Sequence, residues 1–118
     1  MGRLGTLAEL QEAVGAWLRE HPDGLWPPLA NLARLAEEVG ELARLLNQRY
    51  GPKRRKPGEL PPAPQRIADE LADVVLVALV LACSEGIELE DALGRALERA
   101  RRRSGPAEPL TDAGRAPP

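Results

Sequence analysis

The sequence predicts an all-α protein, and three observations carry that prediction. Leu, Ala, Glu and Arg, which lead the helix propensity scale, dominate a composition with no Phe and only 3% aromatic residues. Apolar residues recur at spacings of three and four, and no convincing strand alternation interrupts them. Gly and Pro gather at a few breaks, leaving pieces of helical length between them. At 118 residues the chain is one domain's worth.

The elements follow in order. Thr6-Leu7-Ala8-Glu9 has the form of a capping box and opens a first helix that runs to about Glu20. His21-Pro22-Asp23-Gly24 breaks it. Leu25-Trp26-Pro27-Pro28 leads into a second helix, with Pro28 in its first turn, where a missing N–H costs nothing. That helix continues to about Tyr50 and stops at Gly51-Pro52. Residues 51–64 (GPKRRKPGELPPAP) read as a loop. A third helix spans about Gln65 to Glu85 and ends at Gly86, and a fourth runs from near Glu88 to near Arg103. Residues 1–103 thus form the helical domain, and the tail 104–118, without apolar periodicity, is expected to be disordered.

Two carboxylate pairs stand out on these helices: Glu38 and Glu41 in EEVGEL, Glu70 and Asp73 in DELADVV. Residues three apart share a helical face, with Cβ atoms roughly 5–6 Å apart. At about 100° per residue, Leu35, Val39, Leu42 and Leu46 form the apolar stripe of the second helix. Glu38 projects beside Leu35 and Leu42, and Glu41 lies on the adjacent line with Leu45. On the third helix Ile67, Leu71, Val74, Val75 and Ala78 make a broad apolar face, with Glu70 beside Val74 and Asp73 a little further round. Glu37 sits nearer the polar boundary, as a ligand, a base or a solvated residue. One such pair is ordinarily a solvated face. Two pairs flanked by apolar residues on separate helices would converge four anions that cannot all stay ionised in a packed interior.

A hard divalent cation resolves that conflict. Oxygen-only ligands suit magnesium, with manganese as an alternative, whereas transition-metal sites recruit imidazole or thiolate. The chain has one His and one Cys, no Glu-x-x-His motif of the di-iron bundles, and no EF-hand spacing. Magnesium typically binds through a few carboxylates and substrate phosphates, so hydrolysis of a phosphoanhydride or phosphoester is the natural chemistry. Positive charge for the phosphates is available from Lys53, Arg54, Arg55 and Lys56 in the loop, and from Arg95, Arg99, Arg102 and Arg103 on the last helix. Both clusters also have a bland reading, as solvated charge and as cations favoured at a helix C-terminus. There is no P-loop.

Other classes recede. A formal net charge of −2 gives no general attraction to nucleic acid or to an anionic membrane, and no interleaved aromatics accompany the basic loop. The longest uncharged run, Val74 to Ser84, is about half a bilayer span. Cys83 is the only cysteine and has apolar neighbours, as a buried inert thiol would. With no apolar signal core at the N-terminus, a cytoplasmic location is expected.

The residues EEVGEL followed by DELADVV resemble the EExxE and ExxD motifs of MazG-like proteins, members of the all-α nucleoside triphosphate pyrophosphohydrolase superfamily. The resemblance extends from about Trp26 through Arg103, including WPPLANLARLAEEVGELARLLNQRYG and GIELEDAL. It implies a helical hairpin with flanking helices whose four-helix bundle is completed by dimerisation, sometimes with higher oligomers, so that a homodimer or homotetramer is expected. It further implies magnesium-dependent cleavage of a nucleoside triphosphate between the α and β phosphates. The family's metal ligands carry over to Glu38, Glu41, Glu70 and Asp73, and Glu37 occupies the first acidic position of EExxE; either Glu37 or Glu38 would be the base. One departure is Cys83, where many relatives carry Asn. Independently of the resemblance, the third helix is apolar on more sides than one short chain covers, which favours a homo-oligomer. The alternative from another class is a non-catalytic helical oligomer, its carboxylates paired with arginines across an interface.

Overall fold

A computed structural model describes residues 5–24, 27–51, 57–58 and 60–105. Four α-helices make up the described fold, α1 (Leu7–Glu20), α2 (Pro28–Tyr50), α3 (Pro64–Glu85) and α4 (Leu89–Ser104), with a 3₁₀ turn over Pro22–Gly24. The ends are set by the residues expected to set them. Thr6 Oγ1 accepts from the Glu9 N–H at 3.0 Å and donates to Glu9 Oε1 at 3.1 Å, satisfying one of the orphan donors of the first turn. Pro28 and Pro64 occupy first-turn positions of α2 and α3. Gly86 adopts φ +66°, the left-handed conformation of a Schellman stop; the Ile87 N–H donates to the Ala82 carbonyl at 2.9 Å and the Gly86 N–H to that of Cys83 at 3.4 Å. Glu88 offers no side-chain cap to α4. Gln11, reaching over from α1, does so instead: its Oε1 accepts from the Leu89 N–H at 3.0 Å and its Nε2 donates to the Ile87 carbonyl at 2.6 Å.

α2 and α3 form the helical hairpin, α1 packs across α3, and α4 packs against α1. Leu45 of α2 and Val77 of α3 are 0% and 1% exposed, and Leu18, Leu79, Val80 and Ala82 complete the buried hydrophobic set among the described residues. The C-terminal half of α3 is covered on several sides because α2 and α1 both lie against it.

The expected apolar stripes differ in detail. On α2, Leu35 and Leu42 are half-buried, but Val39 and Leu46 are 48% and 38% exposed. The line that faces α3 instead runs through Asn31, Glu38 and Leu45, spaced by seven. On α3, Ile67, Val74 and Ala78 are half-buried while Leu71 and Val75 remain about half exposed. One partner helix covers only one side of a broad apolar face, so the rest of the stripe stays uncovered in a single copy. Ser104 closes α4 and Gly105 follows it; the tail from 106 onward lies outside the described residues. No described helix is long and apolar enough to cross a membrane.

Candidate metal centre

The hairpin brings Glu38 of α2 to Glu70 and Asp73 of α3. One carboxylate oxygen from each lies within 4.8 Å of the others. Helical period places Glu70 and Asp73 on one face, and the register of α2 against α3 supplies the third carboxylate. Glu38 and Glu70 are half-buried, and Asp73 is exposed, so the group sits at the rim of the apolar interface and opens toward solvent through Asp73.

Glu70 carries the electrostatic tension. Its Oε2 is inaccessible and has no hydrogen-bond partner among the described residues, which is costly for a polar atom. Its pKa is raised, first because the Glu38 carboxyl is placed to share a proton with it, then by burial, then by the negative charges of Glu38, Asp73 and Glu41. Among the described residues, the charged groups acting on it are carboxylates. A divalent cation fits this donor set: three carboxylates each bring an oxygen to one spot, Glu70 among them has an orphaned oxygen, and neither imidazole nor thiolate is in the group.

Glu41 stands beside the group, near enough to act on Glu70 but outside the three that converge. Its Oε1 accepts from Arg44 Nε at 3.0 Å and also from Arg44 Nη2. The pair lowers the pKa of Glu41, chiefly through the Arg44 hydrogen bond against an opposing effect of burial, with the Arg44 and Arg66 charges adding to it. Glu37, next to Glu38 in the chain, is exposed.

The phosphate-binding candidates are distributed differently. Lys53, Arg54, Arg55 and Lys56 lie outside the described residues. Arg99 and Arg102 are exposed on α4, whose packing partner is α1, and Arg102 Nε pairs with Glu98 at 3.4 Å. The cations that act on the acidic cluster through Glu41 are Arg44 and Arg66. Arg44 was not among the cations singled out from the sequence, although its i,i+3 spacing from Glu41 was a signal available there. Arg66 precedes Glu70 by one helical turn and carries the same kind of signal.

Cys83 is ten residues beyond Asp73, about 15 Å along the helix axis. Its Sγ donates to the Gln11 carbonyl at 3.5 Å, and burial pushes the thiol up. It lines an open groove of about 470 Å³ with Gln11, Arg19, Glu88 and Asp91, apart from the three carboxylates. His21 is at the end of α1, its Nδ1 3.0 Å from the Trp17 carbonyl.

Comparison with known proteins agrees with this architecture. The family profile described as the MazG nucleotide pyrophosphohydrolase domain matches residues 27–106. YpjD of Bacillus subtilis (strain 168) is 38% identical over 94 residues, which is 80% of this chain and 82% of that protein. The crystal structure of B. subtilis YpjD superposes with a TM-score of 0.70 at 37% identity, covering 83% of this chain and 97% of that one. A crystal structure of a Bacillus-conserved MazG protein, described as a nucleotide pyrophosphohydrolase, gives a TM-score of 0.68 at 33% identity, covering 85% and 94%.

Proposed function

This chain belongs to the MazG nucleotide pyrophosphohydrolase family, and from that premise we propose that it is a magnesium-dependent enzyme acting on nucleoside triphosphates. It cleaves between the α and β phosphates, releasing monophosphate and pyrophosphate. The observation that carries the metal dependence is the convergence of Glu38, Glu70 and Asp73, together with the orphaned Oε2 of Glu70.

In this reading Glu38, Glu70 and Asp73 hold the cation and Glu41 joins them. A bound magnesium, or manganese in its place, neutralises phosphate charge and acidifies the attacking water. The protein's own groups do the rest. Glu37, exposed beside Glu38, accepts the proton of the attacking water, with Glu38 as the other carboxylate in reach. Asp73 marks the open side through which the triphosphate approaches. Arg66 supplies positive charge from α3, and the loop 53–56 together with Arg99 and Arg102 are the further candidates for phosphate contact.

The same reading calls for a homo-oligomer, a dimer or tetramer. Leu32, Val39 and Leu46 of α2 lie on one line, and with Leu71 and Val75 of α3 they leave an apolar surface that a second copy would cover. A cytoplasmic location is consistent with the intracellular supply of nucleotides.

The test is pyrophosphate release from a panel of ribo- and deoxynucleoside triphosphates, with magnesium and with chelator. Metal-dependent release accompanied by monophosphate is expected. Equal release in chelator, or products other than monophosphate and pyrophosphate, would refute the assignment.

A further inference from the structure

We propose that Arg44 is a positioning residue for the metal centre, holding Glu41 in reserve while the site is empty of metal and yielding it when the cation binds. The inference rests on the metal-site reading above and extends it to a residue that touches neither metal nor substrate in that reading.

Two observations place Arg44 in this role. Glu38, Glu70 and Asp73 converge without Glu41, although Glu41 is one helical turn from Glu38 and close enough for its charge to act on Glu70. What holds it aside is Arg44, one turn further along the same helix, whose guanidinium engages Glu41 Oε1 through both Nε and Nη2. The two side chains are 46% and 44% exposed. A solvent-exposed ion pair is weak and is readily exchanged for a stronger partner. A divalent cation flanked by three carboxylates is such a partner. The arrangement avoids a problem that a fixed four-carboxylate cluster would have: without metal, a fourth anion at the same spot would add to the repulsion already bearing on Glu70. Arg44 neutralises that fourth anion locally until the cation can.

The exchange has a definite sign. Drawing Glu41 onto the metal means breaking its pair with Arg44, so Arg44 lowers the metal affinity. Arg44→Ala is expected to tighten magnesium or manganese binding about two- to fivefold, the range set by an exposed pair. Removing a nearby positive charge would tighten binding to some degree by itself, so the measurement is a double-mutant cycle with Glu41→Gln. Metal dissociation constants are read by calorimetric titration of manganese into wild type, Arg44→Ala, Glu41→Gln and the double variant, without nucleotide. The expected result is weaker binding in Glu41→Gln, tighter binding in Arg44→Ala, and a smaller effect of Arg44→Ala when Glu41 is already Gln. Equal tightening in both backgrounds would reduce Arg44 to bulk charge and overturn the inference, as would unchanged or weaker binding in Arg44→Ala. If the wild type binds no metal, the metal-site reading itself fails. If it binds but the cycle shows no coupling, only the role of Arg44 fails.

Discussion

Replacing Glu70 by Gln separates the metal reading from any structural account of the acidic cluster. The amide keeps the shape of the side chain and removes the charge whose Oε2 is buried without a partner. Two effects of opposite direction follow. Without metal, the variant should be more stable than wild type at neutral pH, because a carboxylate pressed by Glu38, Asp73 and Glu41 is gone. The sign of the pH dependence agrees. A carboxyl whose folded-state pKa is raised contributes stability that is fully present below its unfolded value and is lost as pH rises through the folded one. The gain from Glu70→Gln should therefore vanish in acid, below the ordinary carboxylate range, grow as pH rises from that range to the raised value, and hold steady above it. With metal the order reverses. At a magnesium concentration about 100-fold above its dissociation constant, binding stabilises wild type by roughly 2.7 kcal/mol, an increase in Tm on the order of 10 °C for a domain of this size. Each tenfold loss of affinity removes about 1.4 kcal/mol of that, so a variant lacking one of three converging anions should lose at least half of the shift. The assay is thermal unfolding of both proteins at acidic and neutral pH, each with magnesium and with chelator. Identical magnesium shifts in the two proteins would refute the assignment of Glu70 to a metal site. A metal-free variant less stable than wild type at neutral pH would refute the electrostatic argument.

Further outcomes follow from the same geometry. Glu37→Gln should lower kcat by about 10²–10⁴, the usual loss of a general base, while leaving the magnesium-induced Tm shift intact; steady-state kinetics beside thermal unfolding checks both halves. Leu45→Ala, at a position with 0% exposure between α2 and α3, should cost about 2–5 kcal/mol in urea unfolding, and a cost near zero would mean that the hairpin is not packed as described. Val39→Asp or Leu71→Asp, each on surface about half exposed in one copy, should shift sedimentation toward the monomer if a second copy covers that face; an unchanged assembly would place the oligomer contact elsewhere.

Much of the fold was legible along the chain because helix boundaries are local events. Thr6, Pro28, Gly51 and Gly86 act through the few backbone groups next to them, and the observed ends fall on or beside the positions read from the sequence. The spacing of Glu70 and Asp73 was legible for the same reason, since a shared face follows from the helical period alone. Which line of α2 would meet α3 was not. Val39 and Leu46 are as apolar as Leu42, yet Asn31 and Leu45 are the buried residues of α2, with Glu38 half-buried on the same line, and nothing in the sequence of one helix states how it is rotated against another.

The sequence by itself therefore determined four helices, their punctuation, and two pairs of carboxylates each held to one face, because these depend on interactions within a turn or two of backbone. The tertiary structure decided which of those carboxylates meet. The rotation and register of α2 against α3 set Glu38 beside Glu70 and Asp73 and left Glu70 Oε2 without a partner, while Glu41, with the same helical credentials, was engaged by Arg44. The first outcome depends on distances between atoms far apart in the chain, which exist only once the helices have packed; the second is a local i,i+3 pair, and only its consequence, a fourth carboxylate left outside the group, appears when α3 is in place.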